Sequence, residues 1–231
     1  MQYRWPKKPV ALTPEQEAAR EAFVFAWHEE LPAKYRLLES FNQGFPAHLE
    51  SIGGKTLEIG AGIGAHLIFE DLEIQEYHVL EYRSEFCNIL STRLPPDRVH
   101  HGDIEQRQPF ADHSFDRVIA IHTLEHLRNL PAAIEEVVRI MKPNGVFDVV
   151  LPCEGGFAYT LARRLSAEKM FREKFGLDYR PIIENEHVNT LAEVQFVLKK
   201  RFKKRAARYF PLLIPNVDLN LCVGFRLQLA T

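Results

Sequence analysis

Three histidines and one glutamate carry the side chains best suited to moving a proton. His122, Glu125 and His126 stand at i, i+3 and i+4, which puts all three on one face if the segment is helical. His187 lies in Glu184-Asn185-Glu186-His187-Val188-Asn189, ahead of a capping pair at Thr190 and Glu193. Imidazole titrates near neutrality, so His122 and His187 are the candidate catalytic bases. The four residues also offer donor types that a divalent metal accepts.

A second group of residues is suited to binding a nucleotide-like cofactor. Leu57-Glu58-Ile59-Gly60-Ala61-Gly62-Ile63-Gly64-Ala65 sits where a strand is expected to turn into a helix running to about Asp71. Glycines there allow a tight turn and let a ligand approach the main chain. The helix start behind them offers free N–H groups to a phosphate or carboxylate. Glu81 ends the next expected strand, where a carboxylate can accept both hydroxyls of a ribose. Gly60, Gly62 and Ala65 also satisfy a dinucleotide-binding pattern, so an NAD-type oxidoreductase is a competing reading.

The elements that must position these residues alternate along the chain. Strands are expected at 56–59, 77–81, 98–101, 115–121 and 146–151, with helices at 84–93 and from Pro131 onward. Phe115 to Ile121 is nearly continuously apolar, as for a strand covered on both faces. The alternation predicts a parallel sheet between helical layers. A helix to about Lys200 follows Thr190, and 203–210 and 219–229 read as two closing strands. In the second, Leu219, Leu221, Val223, Phe225, Leu227 and Leu229 alternate. Ahead of the sheet, residues 1–12 read as an extended arm. Thr13 and Gln16 then cap a helix whose apolar face is Ala19, Ala22, Phe23, Ala26 and Trp27. Val24 and Phe25 lie off that face, and a second helix is expected from Pro32 to about Phe41.

Composition narrows the field. The 231 residues are 46% hydrophobic and 26% charged, with a formal charge of −2, which excludes a disordered chain or a polycation. Cys87, Cys153 and Cys222 are widely spaced and read as buried thiols, not as a disulfide framework or a zinc site. No apolar run approaches a membrane span and no secretory leader is recognised, so a cytoplasmic protein is expected. Seven of the ten residues at 199–208 are basic, leaving 22 basic against 31 acidic elsewhere. Such a run is a solvated helix end or a contact for an anionic acceptor, and without a recognised RNA module it gives little support to nucleic acid.

Gly102-Asp103-Ile104, Phe115 to Leu127 and Met141 to Val146 join the glycine loop and Glu81 in an ordered set. The set resembles the class I S-adenosylmethionine-dependent methyltransferases, near the small-molecule branch that includes the ubiquinone-type enzymes, over about residues 50–152. The resemblance implies an α/β, Rossmann-like, seven-stranded and mostly parallel sheet with a reversed last strand. Residues 1–50 would form an arm and helical cap, and 51–231 the methyltransferase domain. It implies that Glu58, Gly60, Ala61, Gly62 and Gly64 hold the methionine part of S-adenosylmethionine. Glu81 with Tyr82 would bind the ribose, Asp103 and Ile104 the adenine, and His122 would lie beside the methionine and the acceptor. Residue 61 is Ala where a polar residue or Cys often stands. Some metal-dependent relatives carry Glu where His122 stands, followed by Glu-His; here no metal is assigned. The implied activity is in-line methyl transfer to a small-molecule or glycan-like acceptor, with a His base. Phe157-Ala158-Tyr159, past Gly155-Gly156, would line the acceptor pocket. A catalytically silent binding protein on the same fold is the other alternative.

Overall fold

The computed structural model describes residues 3–34, 36–47, 49 and 53–230, with the side chains of 27–34 outside that description. The expectation for Trp27 therefore lies outside the described residues. Seven strands form one sheet: β1 (Gly54–Ile59), β2 (Gln75–Glu81), β3 (Val99–His101), β4 (Phe115–Ile121), β5 (Met141–Pro152), β6 (Phe202–Phe210) and β7 (Cys222–Leu229). Their order is β3-β2-β1-β4-β5-β7-β6. The first five run parallel, and β7 is antiparallel to both β5 and β6. Among the described residues eight α-helices accompany them: α1 (Pro14–Lys34), α2 (Arg36–Gly44), α3 (Ser84–Leu90), α4 (Leu130–Ile140), α5 (Phe157–Leu165), α6 (Ala167–Phe175), α7 (Arg180–Glu186) and α8 (Leu191–Leu198). No helix of the described residues is long and apolar enough to cross a membrane.

Strand side chains alternate between two faces. On one face Leu57, Ile59, Val118, Ala120, Phe147 and Val149 pack with Ile134 and Val137 of α4 and Val194 and Val197 of α8. On the other, apolar Tyr77, Val79, Ile119 and Val150 share the interior with a buried ionic cluster. Arg117, only 2% exposed, donates to Asp148 through Nε (2.9 Å), to both oxygens of Glu70 through Nη1 (2.9 Å) and to the Pro46 carbonyl through Nη2 (2.9 Å). Arg226 closes on Asp148 at 2.7 Å, and the His66 imidazole meets Glu70 at 2.7 Å.

The N-terminal helix is capped as expected: Thr13 N–H donates to Gln16 (2.9 Å) and Gln16 N–H to Thr13 (3.2 Å). Ala19 and Phe23 are buried against Phe171, Tyr179 and Ile182, so α1 packs on α6 and α7. Phe25, on another side, meets the Phe86 ring at 5.2 Å. Ala22 is exposed, which corrects the expected face, because α6 and α7 cover the side of α1 that carries Ala19 and Phe23.

Other differences have local causes. The helix expected to Asp71 is a 3-10 turn, Ala65–Phe69, because Glu70 goes extended to reach Arg117 and Gln75. The fifth strand begins at Met141, not at 146, since the helix ends at Ile140. Leu219 falls in a 3-10 turn and is exposed, whereas Val223, Phe225 and Leu227 keep the expected alternation. The helices α5 to α7 were not foreseen. All three cysteines are free and buried. Phe202 and Tyr209 are buried, and Phe210 stacks on Phe41 at 5.1 Å, so the aromatic residues around the basic run serve the core.

Candidate functional site

The glycine loop leaves β1 with Gly60, Gly62 and Gly64 all in the left-handed region, at φ 68°, 55° and 81°. An L side chain is strained there, which is why the sequence spends three glycines on five residues. At Gly60 there is also no room: a Cβ would lie 2.6 Å from Thr123 Oγ1. Glu81 reaches across from the end of β2. Its carboxylate accepts from Gly62 N–H (2.9 Å) and Arg83 N–H (2.9 Å). Burial pushes the Glu81 carboxyl up, against those backbone hydrogen bonds.

The other residues expected to bind the cofactor follow, except Glu58, the carboxyl ends of β1, β2 and β3. Tyr82 is exposed beside Glu81. Asp103 accepts from Glu105 N–H at 2.9 Å, and Ile104 is buried beneath it. Ala61 is buried in the loop. Glu58 is placed differently from its neighbours: it is buried inside β1, and its carboxylate accepts from the Tyr77 hydroxyl at 2.9 Å. It supports the loop from below.

His122 follows β4 in the left-handed region, φ 48°, where a non-glycine residue is uncommon and found disproportionately at functional sites. Its N–H is held by the Val150 carbonyl at 2.9 Å. The His122 Nδ1–H points to Glu125 Oε1 at 3.2 Å, and Nε2 is buried with no hydrogen-bond partner. In the neutral ring that nitrogen bears the lone pair, the form a base requires. Glu125 is fully buried and its Oε2 is also unpartnered. Burial pushes Glu125 up, but the hydrogen bond from His122 and the neighbouring His126 and His187 outweigh it and hold it at about 2.

The loop 187–189 brings the second candidate base alongside. The His187 and His126 rings meet edge to face at 4.8 Å. His187 Nδ1–H donates to Glu154 Oε2 (2.8 Å), and His126 Nδ1–H to the Glu186 carbonyl (2.9 Å). Burial lowers His126, yet the hydrogen bond to Glu186 and the charge of Glu125 prevail and bring it to about 8. Asn189 stitches the loop to the turn: its N–H donates to the Glu125 carbonyl (3.0 Å) and its Nδ2 to Leu124 (3.2 Å) and Leu127 (2.6 Å). The arm reaches the same residue, with Trp5 Nε1–H donating to Asn189 Oδ1 at 2.8 Å. From α1, Arg20 pairs with Glu186, and Glu21 with Arg83 at 2.7 Å.

Glu125, His126 and His187 each offer a ligand atom within 4.8 Å of the others. Two imidazoles and a carboxylate suit a borderline divalent ion such as zinc. His122 is not one of that set. Of the expected acceptor-lining residues, Phe157 is exposed, and Tyr159 packs on the main core with its hydroxyl at Glu154. Glu154, Glu186 and Asn189 were not singled out from the sequence. Glu186 is adjacent to His187, and Glu154 directly follows a strand end, where ligands gather in open α/β sheets.

The chain was compared with known proteins. Residues 57–149 match the family model described as a methyltransferase domain. A sterol 24-C-methyltransferase of Gibberella zeae is 26% identical over 150 residues, covering 57% of this chain and 38% of that protein. A sterol 4-C-methyltransferase of Caenorhabditis elegans is 41% identical over 99 residues, covering 42% and 28%. The chain thus spans under half the length of the curated relatives it matches. Among solved structures, an S-adenosylmethionine-dependent methyltransferase of Thermotoga maritima superposes with TM-score 0.65 at 20% identity, covering 91% of this chain and 98% of that one. A geranyl diphosphate C-methyltransferase of Streptomyces coelicolor, solved with Mg2+, geranyl diphosphate and S-adenosyl-L-homocysteine, gives 0.61 at 11% identity, covering 95% and 100%. At those identities the likeness is one of fold. The residues fit S-adenosylmethionine: a loop whose glycines 60, 62 and 64 are all left-handed, where an L side chain would be strained, and a buried carboxylate at the end of β2.

Proposed function

We infer that the chain, whose residues 57–149 match a methyltransferase domain, transfers a methyl group from S-adenosylmethionine to a small-molecule acceptor. The observation that carries this reading is the strained His122, with an unpartnered Nε2 at the same sheet edge as the glycine cradle and Glu81. When bound, S-adenosylmethionine supplies a methyl group already activated on a sulfonium. Gly60, Ala61, Gly62 and Gly64 would hold its methionine part, with Glu58 bracing them. Glu81 and Tyr82 would hold the ribose, and Asp103 and Ile104 the adenine. The protein's remaining work is to align the acceptor, exclude water and take a proton where the acceptor has one to lose. His122, with its unpartnered Nε2, is the first candidate base, and His187, oriented by Glu154, is the second.

The acceptor's finer chemistry is part of the same proposal. The sterol methyltransferase relatives favour an apolar molecule. The basic run 199–208 favours an anionic or glycan-like one. Residues 1–50 act as arm and cap to the domain at 51–231, through Trp5, Arg20 and Glu21. Three free thiols fit a cytoplasmic setting. The NAD-type reading is set aside, because a reversed strand β7 lies where a dinucleotide fold continues parallel.

The test is thermal unfolding with S-adenosylhomocysteine and with NAD. A ligand at about 100 times its Kd adds about 2.7 kcal/mol to stability. A shift with the homocysteine compound alone is expected, and a shift with NAD alone would sink the proposal. A second reading rests on Glu125, His126 and His187 holding a cation. A stoichiometric metal in the purified protein would support it, and full activity after chelation would remove it.

A further inference from the structure

The helix α5 buries none of its nine residues. Phe157, Leu161 and Leu165 stand at i, i+4 and i+8, so they form one stripe along it. Phe157 is 70% exposed and Leu165 is 69%. A second apolar group, Leu212, Leu213 and Ile214, lies on the connection between β6 and β7, and Leu213 is 61% exposed.

The sheet register puts the two groups at one edge. Pro152, the last residue of β5, pairs with Cys222, and Cys222 pairs with Phe210. The chain between 210 and 222 therefore turns at the same carboxyl edge from which α5 departs. The two segments touch: Phe157 N–H donates to Asp218 at 3.2 Å, and Gly156 lies so close to the Val217 carbonyl that a Cβ would be 2.4 Å away. The connection is a built structure, held by Asn220, whose amide donates to the Ile214 (2.9 Å) and Asn216 (2.8 Å) carbonyls. Its apolar tips are held outward in an ordered loop.

The charge around these apolar residues is mostly positive, with Asp218 an exposed acid on the connection itself. Arg164 is exposed between Leu161 and Leu165 on α5. Residues 157–175 hold five basic against two acidic side chains. The edge strand β6 ends at the apolar connection with Arg208 exposed two residues before Phe210, while the exposed Lys203 and Lys204 lie toward its other end, paired with Gln228 and Leu227. That strand contains four of the seven basic residues of the run 199–208.

We propose that this edge docks on an anionic lipid bilayer. The apolar side chains of α5 and the 212–214 loop enter the headgroup boundary, while Arg164 and Arg208 meet the lipid phosphates. A second copy of the chain would bring these same cations against their own kind, which argues for the lipid. Apolar burial and electrostatic attraction to anionic lipid are the two contributions that hold such a face at an interface. The inference does not rest on methyl transfer, and its test needs no acceptor.

The test is co-sedimentation of the full chain with vesicles of phosphatidylglycerol and phosphatidylcholine, and with phosphatidylcholine alone. The protein is expected to pellet with the anionic vesicles only, and to be released at high salt. Leu165→Asp and Leu213→Asp should each weaken the partition about tenfold or more, and Arg164→Glu should also weaken it. Thermal unfolding shows that each variant is folded. Failure to pellet with anionic vesicles would overturn the proposal, as would binding that all three variants retain. So would a dimer formed without lipid that Leu165→Asp dissolves, because the face would then belong to a second copy.

Discussion

The two faces of the sheet are held by different physics. Under α4 and α8 the contacts are apolar and short-ranged, from Leu57 through Phe147 to Val197. Under α2 and the 3-10 turn, Arg117 gathers Glu70, Asp148 and the Pro46 carbonyl. The apolar face supplies burial that any well-shaped hydrophobe could supply. The ionic face fixes directions. Glu70 ends the segment that begins at Gly64, so its pairing with Arg117 sets where the glycine loop lies. The region that needs accurate placement is thus the one built from hydrogen-bonded charges.

The largest test of that difference is Arg117→Leu. Removing one partner of a buried ion group strands the others and costs about 3–5 kcal/mol. Urea unfolding should show that loss, and S-adenosylhomocysteine affinity should fall with it. On the apolar face, Ile134→Ala should cost about 2–5 kcal/mol while leaving that affinity unchanged in the folded fraction. Equal affinity losses in both variants would erase the distinction.

The ionic face should also respond to pH. Burial pushes Glu70 up, but His66 and Arg117 overcome it and hold the carboxyl at about 2. Its folded value is depressed, so its contribution is present above the unfolded value of about 4.3 and is lost as pH falls toward 2. His66 moves the other way: burial lowers it, but Glu70 and Glu58 raise it overall. Its contribution is full below about 6.5 and is lost as pH rises through the higher folded value. Urea midpoints should therefore peak between about pH 4.5 and 6.5, and Arg117→Leu should flatten the acid side. An acid limb unchanged in that variant would move its origin away from Glu70.

The smallest expected effect is a helix cap on the apolar side. Thr190 accepts from Glu193 N–H, and Glu193 accepts in return from Thr190 N–H (2.9 Å). Thr190→Ala should cost about 1 kcal/mol without altering the pH profile. A change in that profile would show that α8 communicates with the ionic face.

Local chemistry made much of the molecule legible. Strand and helix periods, the Thr13 and Thr190 caps and the three glycines before Ala65 depend on neighbours a few residues away. They announced a parallel sheet and a candidate cofactor edge, while the reversed last strand came with the family resemblance. The charge in Phe115 to Ile121 did not show its meaning, since Arg117 reads as a minor interruption until Glu70 and Asp148 are brought to it. The helices from 157 to 186 were missed for the same reason: α6 and α7 bury their faces against α1, far away in sequence.

The sequence by itself determined the order of the strands, the backbone freedom at Gly60, Gly62 and Gly64, and the place of Glu81 at a strand end, because each follows from local periodicity or steric allowance. Only the tertiary structure decided that Glu154 orients His187, that Glu186 engages His126, and that Asn189 ties their loop to the turn carrying Glu125. Those pairings join residues 33, 60 and 64 positions apart, and no local rule fixes a contact at that range. They follow from β4 and β5 lying side by side, which brings the ends of distant segments to one edge.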